Sequence, residues 1–443
     1  MLDAIVTKLK EFREKFYRIL SRRRDATVEL VDALSSNTTA KSVVELSLNP
    51  LHRRNYCSIT RVLDECIPIN EVTEFKKKTV SLLSEACPKL NERFYHVLAV
   101  DCTPNSRVFS PTLEDRSFVY VTNTIAENKP VTIGYQYSVV AYLPEKNEQS
   151  PPWLIPLSCE RVHTNEKAVL VGMKQISHCI QSQKKFSERP LVSVGDSAYS
   201  HSSCLVEANN NPNQIHIARV RNNRTFYYTN NQIKKLSQKG RPLCYGDKHS
   251  LKDERTWSYS DECVEFEVIS KKGYLQKIKI DCWNNMMMRG KQQEKMFEKT
   301  FRLIRIRVYK STGELLFKRP MWLIVSGEKH FKLSLKEIFN IYRQRFDIEH
   351  FFRFGKNKLL MNKLQTPDRM HEETWWQLVM VAYTQLYLAN NIAKNTVNPW
   401  EKYLPSQRLS QEEKSPSQVQ RDFKQLLRRL EHLLKHPNPE INR

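Results

Sequence analysis

The stretch from Leu335 to Leu360, L-K-E-I-F-N-I-Y-R-Q-R-F-D-I-E-H-F-F-R-F-G-K-N-K-L-L, leaves little freedom of local structure. It contains no proline, and its single glycine, Gly355, lies near the end, so a helix is predicted through it. At about 100° per residue, Ile341, Ile348, Phe352 and Leu359 share one sector and form a buried stripe. Tyr342, Arg345, Glu349 and Lys356 form a second stripe beside it, spanning roughly 60° of the circumference. A phenol, two cations and a carboxylate thus share one edge of the core-facing side. Asp347 falls nearly opposite and is expected to be solvated. On an arbitrary charged helix such a stripe is a row of i, i+4 ion pairs facing water.

The spacing of the second stripe is more specific than that: Tyr, two residues, Arg, three residues, Glu, six residues, Lys. It resembles, over its whole length, the signature of the bacterial insertion-sequence transposases of the Tyr-Arg-Glu-Lys group, which are DDE cut-and-paste enzymes. The resemblance implies that Glu349 is the last of three metal-binding carboxylates. It implies, too, that two aspartates stand upstream, each leaving a strand of an RNase H-like α/β core.

From Phe94, F-Y-H-V-L-A-V-D-C-T-P is an apolar, β-favouring run expected to stop at Asp101, with Pro104 closing the strand. Ser117 to Asn123 and Val131 to Leu143 follow as alternating β segments. Lys167 to Gln183 reads as an amphipathic helix with Val169, Leu170, Met173, Ile176 and Ile180 on one face. It leads into P-L-V-S-V-G-D-S-A-Y-S, a short buried strand ending at Asp196. Ser203 to Ala208 is expected as a short helix and I-H-I-A-R-V-R (215–221) as the last central strand. An aspartate at a strand end is commonly just a turn residue. Here two of them close apolar strand-like runs at the sheet edge where such folds place ligands. The Asp196-Ser-Ala-Tyr199 stretch also resembles the family's second motif, an aspartate followed shortly by a small residue and an aromatic.

Three carboxylates converging on one point stay ionised only beside a compensating cation. Asp101, Asp196 and Glu349, with no histidine or cysteine among them, suit the hard-oxygen preference of Mg²⁺, for which Mn²⁺ is expected to substitute. Two such ions roughly 3.5–4 Å apart activate the attacking oxygen and steady the leaving one in an in-line phosphoryl displacement. Tyr342, Arg345 and Lys356 are then expected on neighbouring DNA phosphates, Arg as a bidentate donor and Lys as a point charge.

Between Arg221 and Pro320 the pattern turns β-rich. Cys263–Ile269, Leu275–Asp281, Phe301–Tyr309 and Glu314–Phe317 alternate, with turn residues between them. The related transposases carry an insertion at this place. Members that cut through a DNA hairpin flip a base onto an aromatic platform there, and Trp322, on M-W-L-I-V-S before the helix, is the candidate by position. The alternative for Trp322 is core packing. The strip W-N-N-M-M-M-R-G-K (283–291) reads as a contact surface of exposed Met and Arg.

Charge directs the reading of both flanks. Lys plus Arg number 71 against 48 Asp plus Glu, giving +23 and pointing to a polyanionic partner, with double-stranded DNA first. Residues 1 to about 92 read as helical. Leu9, Phe12, Phe16 and Ile19 keep helical spacing, a further helix is expected over Val28 to Leu34, and Arg22–Arg24, Arg53–Arg54 and Lys76–Lys78 are candidate phosphate contacts. After Lys356, H-E-E-T-W-W-Q-L-V-M-V-A-Y-T-Q-L-Y-L-A (371–389) is an apolar helix whose Trp375, Leu378, Val379, Tyr383 and Leu386 are expected to brace the helix before it. Ser415, Pro416 and Gln418 open a last helix with a basic face of Arg421, Lys424, Arg428 and Arg429, for DNA or a second subunit. No apolar run reaches the ~18 residues of a spanning helix, and the N-terminus lacks the order of a signal peptide. Ten cysteines are scattered without C-x-x-C or a Cys/His cluster, as free thiols in a reducing cytoplasm. The expected location is the bacterial cytoplasm, at the nucleoid when bound to DNA.

The expected architecture is an RNase H-like α/β core interrupted by a β insertion and flanked by helical segments. Its parts are 1–92 (helical, DNA-binding), 93–221 (core), 222–319 (β-rich insertion), 320–370 (core with the catalytic helix) and 371–443 (helical). The resemblance implies a transposase in which metal-activated water cleaves DNA at the element's ends and the freed 3′ hydroxyl attacks another phosphodiester, with a hairpin step in some relatives. It implies a dimer holding two ends together. Two other classes stay open: a domesticated, non-catalytic DNA-binding protein, and an RNase H-like nuclease that hydrolyses without joining.

Overall fold

The computed structural model describes residues 2–110, 112–120, 130–147, 149–229, 244–270, 273–394 and 413–431. In chain order it opens with helices α1 (Leu2–Ile19), α2 (Arg24–Ser35), α3 (Val43–Leu46), α4 (Tyr56–Glu65) and α5 (Val72–Ala86). Strands β1 (His96–Ser106), β2 (Ser117–Tyr120), β3 (Val131–Tyr142) and β4 (Ile155–Val162) follow, then α6 (Ala168–Ser182) and α7 (Lys184–Glu188). Next come β5 (Leu191–Gly195), α8 (Ser202–Asn209), β6 (Gln214–Val220), β7 (Thr225–Tyr227) and β8 (Lys248–Ser250). Strands β9 (Glu262–Ile269), β10 (Leu275–Met286), β11 (Phe301–Lys310) and β12 (Met321–Ser326) precede α9 (Leu335–Gln344), α10 (Phe346–Lys358), α11 (Arg369–Lys394) and α12 (Pro416–Glu431). The α/β class is the expected one. Contacts divide the chain into one unit of Met1–Asn91, Cys102–Ala168 and Phe346–Arg443, and another of Glu92–Asp101 and Val169–Arg345.

The second unit holds a mixed sheet in the order β1-β5-β6-β12-β11-β10-β9. β1, β5 and β6 run parallel, and each later pairing is antiparallel. Parallel neighbours demand a crossover, which α6 supplies with Met173, Ile176 and Ile180 buried. β5 is buried at every position, as a central strand must be. The segment expected as an insertion continues this sheet outward from β6 through β12, because Phe301–Ile306 of β11 pairs with β12 over its full length. Glu314–Phe317, expected as a strand, forms only an isolated bridge between Leu315 and Tyr309. Met286, Met287 and Met288, expected at the surface, are all buried. β10 ends in a register shift after Trp283 that carries this strip into the interior.

In the first unit, β2 and β4 pair with successive stretches of one edge of β3. β4 was not foreseen. Pro156 sits in it at the register shift between Val140 and Ala141, where a missing N–H is tolerated. The N-terminal helices do not stand apart as a module: α1, α2, α4 and α5 pack on α11, and α5 also on β4. Leu9, Phe12 and Phe16 make the buried stripe of α1, whereas Ile19, expected on it, is only half-buried and Leu20, just past the helix, is buried instead. Several expected phosphate contacts are engaged within the protein. Arg53 and Arg54 share Glu29 at 2.8 and 3.2 Å, and Lys76 pairs with Glu160 at 2.7 Å and Glu373 at 3.2 Å. Tyr383 of α11 packs edge-on against Phe351 of α10 at 4.8 Å, the bracing expected of it. α12 opens as read: the Ser415 amide and hydroxyl both donate to Gln418 Oε1 at 2.8 Å. Arg421 and Arg428 are exposed there. The side chain of Arg429, and Asn123 after β2, lie outside the described residues.

All ten cysteines are free thiols. Among the described residues no helix is long and apolar enough to cross a membrane.

Candidate active site

Asp101 was expected to end its strand, yet β1 runs on through it and Pro104 to Ser106. His96 to Ala99 pair with β5, whereas beyond Ser106 the Arg107 amide donates to Ile133 O of β3 at 2.8 Å. Asp101 lies between the two pairings, half-buried, and Arg345 Nη1 reaches its Oδ2 at 3.4 Å.

Asp196 follows β5 directly, as expected, and caps the short 3-10 turn Ser197–Ser200. Its Oδ1 accepts from the Ala198 amide at 2.9 Å, and its carbonyl accepts from the Tyr199 amide at 3.2 Å. A Cβ on Gly195 would lie 2.7 Å from Tyr199 Cβ and Cγ, so glycine lets the Tyr199 side chain fold back over the strand end. Behind the turn, His216 of β6 is fully buried, and burial pushes its imidazole down to about 4.

Tyr342 and Arg345 come from the end of α9. Helix hydrogen bonding breaks at Arg345, whose amide is shared between Ile341 O at 3.2 Å and Tyr342 O at 3.3 Å, so the single predicted helix is observed as α9 and α10. Tyr342 is 1% exposed, with the Arg345 guanidinium 5.7 Å from its ring centre. Burial raises the pKa of its phenol, the nearby charge of Asp196 acts in the same direction, and Arg345 and Arg219 oppose both. Arg219, exposed on β6, therefore belongs to this neighbourhood. It was read only as part of a strand, since one outward charge on an apolar strand carries no spacing signal.

The remaining signature residues lie on α10, in the other unit. Glu349 is exposed in the first turn of that helix. Lys356 donates to Thr103 Oγ1 at 2.6 Å and Pro104 O at 3.1 Å, and burial lowers its pKa. Asp347, expected in water, is buried and paired with Lys146. The wheel gave its direction correctly but not that this side of α10 is also covered. Ile341, Ile348, Phe352 and Leu359 are buried as predicted.

Trp322, expected as a base platform, is 1% exposed. Its ring lies 5.4 Å from Trp257, 5.7 Å from Trp283 and 6.1 Å from His249, an aromatic core that leaves no open face for a base. The second unit thus brings Arg345 to Asp101 and against the Tyr342 ring, and it places Trp322 in packing. Among the described residues no three His, Cys, Asp or Glu side chains stand close enough together to hold a metal ion.

A family model described as DDE superfamily endonuclease matches residues 15–275. The match spans both aspartates and ends at the start of β10, before Tyr342, Arg345, Glu349 and Lys356. No curated protein matches the chain.

Proposed function

We propose, from the premise that this chain belongs to the DDE superfamily endonucleases, that it is a transposase that cuts DNA at the ends of an insertion sequence and joins the freed ends to target DNA. The observation that carries the reading is the contact of the signature's arginine with the first aspartate. Arg345 reaches Asp101 at 3.4 Å, and Tyr342 stands in the field of Asp196. A helix whose cations served only as surface ion pairs has no reason to turn Arg345 inward onto Asp101.

The donor chemistry fits a divalent cation. Asp101 and Asp196 present hard oxygens without a thiol or imidazole ligand between them, and the backbone bond to Asp196 Oδ1 fixes how its carboxylate points. Asp101, Asp196 and Glu349 are the residues assigned to hold Mg²⁺, or Mn²⁺ in its place. When bound, the metal supplies the positive charge that activates an attacking oxygen and stabilises a leaving one. The rest falls to the chain. Glu349, exposed in the first turn of α10, is the third carboxylate that the signature spacing assigns to the set. Arg345 and Lys356 are assigned to neighbouring phosphates of the DNA strand. Tyr342, expected on a phosphate, is 1% exposed with the Arg345 guanidinium 5.7 Å from its ring centre, and its assigned role is to back that guanidinium and not to touch DNA. Two copies hold two element ends.

The test incubates the purified protein and Mg²⁺ with a plasmid carrying the gene and its flanking DNA. The expected products are double-strand breaks at both element ends, hairpin or open, together with molecules joined to a target plasmid. Nicked DNA with no joined product under any condition would replace this reading with a nuclease. Specific binding without cutting, with Mn²⁺ as well, would replace it with a domesticated binder.

A further inference from the structure

His216 touches neither aspartate, yet it grips the chain on both sides of Asp196. Its Nε2 lies 3.0 Å from the carbonyl of Tyr199, three residues after Asp196, and its Nδ1 lies 2.9 Å from the hydroxyl of Ser193, three residues before it. A carbonyl only accepts, so Nε2 carries the proton. In the neutral ring Nδ1 then accepts from the Ser193 hydroxyl, whose oxygen in turn accepts from Gln214 Nε2 at 2.9 Å. Ser193, Gln214 and His216 are all 0% exposed. Burial this complete is tolerated only when the polar atoms are paired, and an apolar residue at 216 would leave the Tyr199 carbonyl and the Ser193 hydroxyl without these partners.

We infer that His216 is a positioning residue for the metal site: one neutral imidazole on β6 ties the strand before Asp196 to the turn after it and so fixes the direction of the Asp196 carboxylate. The inference rests on Asp196 being a metal ligand. The turn also has its Tyr199 ring buried over the strand end. Its backbone bonds are local, Ala198 N to Asp196 Oδ1 at 2.9 Å and Tyr199 N to Asp196 O at 3.2 Å, and both turn with the segment if it swings. His216 refers that segment to β6, which is parallel-paired to β5 through Gly195↔Ala218. Groups that orient a metal ligand from behind are commonly worth about ten- to a hundredfold in metal affinity or activity.

Three variants separate positioning from mere packing. Glutamine at 216 places an amide N–H where Nε2 stands and can still donate to the Tyr199 carbonyl. Asparagine reaches only the Ser193 side, and leucine fills the space without either bond. Mn²⁺ binding to the intact protein is measured by electron paramagnetic resonance, and amide exchange at Ala198 and Tyr199 is measured in the same samples. His216→Asn is expected to weaken Mn²⁺ binding by about tenfold or more and to speed exchange at both amides, with His216→Gln staying close to the parent. His216→Leu should match asparagine if it folds, and the Gln/Asn pair decides if it does not. Asn and Gln variants both equal to the parent in exchange and in Mn²⁺ affinity would overturn the inference. Faster exchange in the Asn variant with no Mn²⁺ bound by the parent would instead retain the brace on the turn and remove Asp196 from the metal site.

Discussion

Asp101→Asn is expected to abolish DNA cleavage, lowering the rate by about a thousandfold or more, which is ~4 kcal/mol of barrier. The substitution keeps the side chain's size and an oxygen to face Arg345, so β1 and its two pairings persist. What is lost is a unit of negative charge at the point where the cation is to be held. DNA binding should survive and tighten slightly, because the Arg345 guanidinium, 3.4 Å from Asp101 in the parent, is released toward phosphate. Rates of plasmid cutting and an electrophoretic binding titration on the same preparations check both halves. Cleavage within tenfold of the parent would remove Asp101 from the chemistry.

A second large effect concerns stability, at Glu372. Its carboxylate, on α11, is fully buried and ion-paired with Arg107, and it accepts from Asn105 Nδ2 at 2.5 Å and from the Tyr137 hydroxyl at 3.0 Å. Arg107 in turn donates to the carbonyl of Leu364 at 2.9 Å. Removing one partner of so buried a pair strands the other, and Glu372→Ala is expected to cost about 3–5 kcal/mol. Replacing both charges, as Glu372→Leu with Arg107→Met, should recover much of that loss, because the desolvation cost disappears along with the attraction. Denaturant unfolding followed by tryptophan fluorescence measures it, with Trp376 stacked on Tyr137 at 4.0 Å as the local reporter. A loss below about 1 kcal/mol in the single variant would mean that water reaches the pair.

These side chains also show where the sequence could and could not be read. The run into Asp196 was legible because β5 is buried on both faces, so its residues are uniformly apolar and its end is abrupt. The signature stripe was legible through spacing, and its apolar neighbour Ile341–Leu359 is buried as the wheel required. β1 was misjudged at its end. Pro104 closes a strand only where its missing N–H is needed, and β1 runs through it to Ser106. Glu372 lies in a run read only as an apolar helix, and its charge is matched by Arg107 from far along the chain, which no local pattern reveals. Trp322 was placed by its position in sequence, which says nothing of Trp257 and Trp283 closing over it. His216 left no mark, because a histidine in the apolar run Ile215–Val220 is legible only once its neighbours Ser193 and Tyr199 are known.

The central proposal is that Asp101, Asp196 and Glu349 are ligands of one metal site when the protein holds a DNA end. Ferrous iron substituted for magnesium, with ascorbate and peroxide, cuts the polypeptide backbone next to wherever the ion is bound. In the DNA-bound protein the account predicts fragments ending near all three residues, suppressed together by excess Mg²⁺ and weakened together by Glu349→Gln. Cutting near Asp101 and Asp196 with none near Glu349 would contradict it.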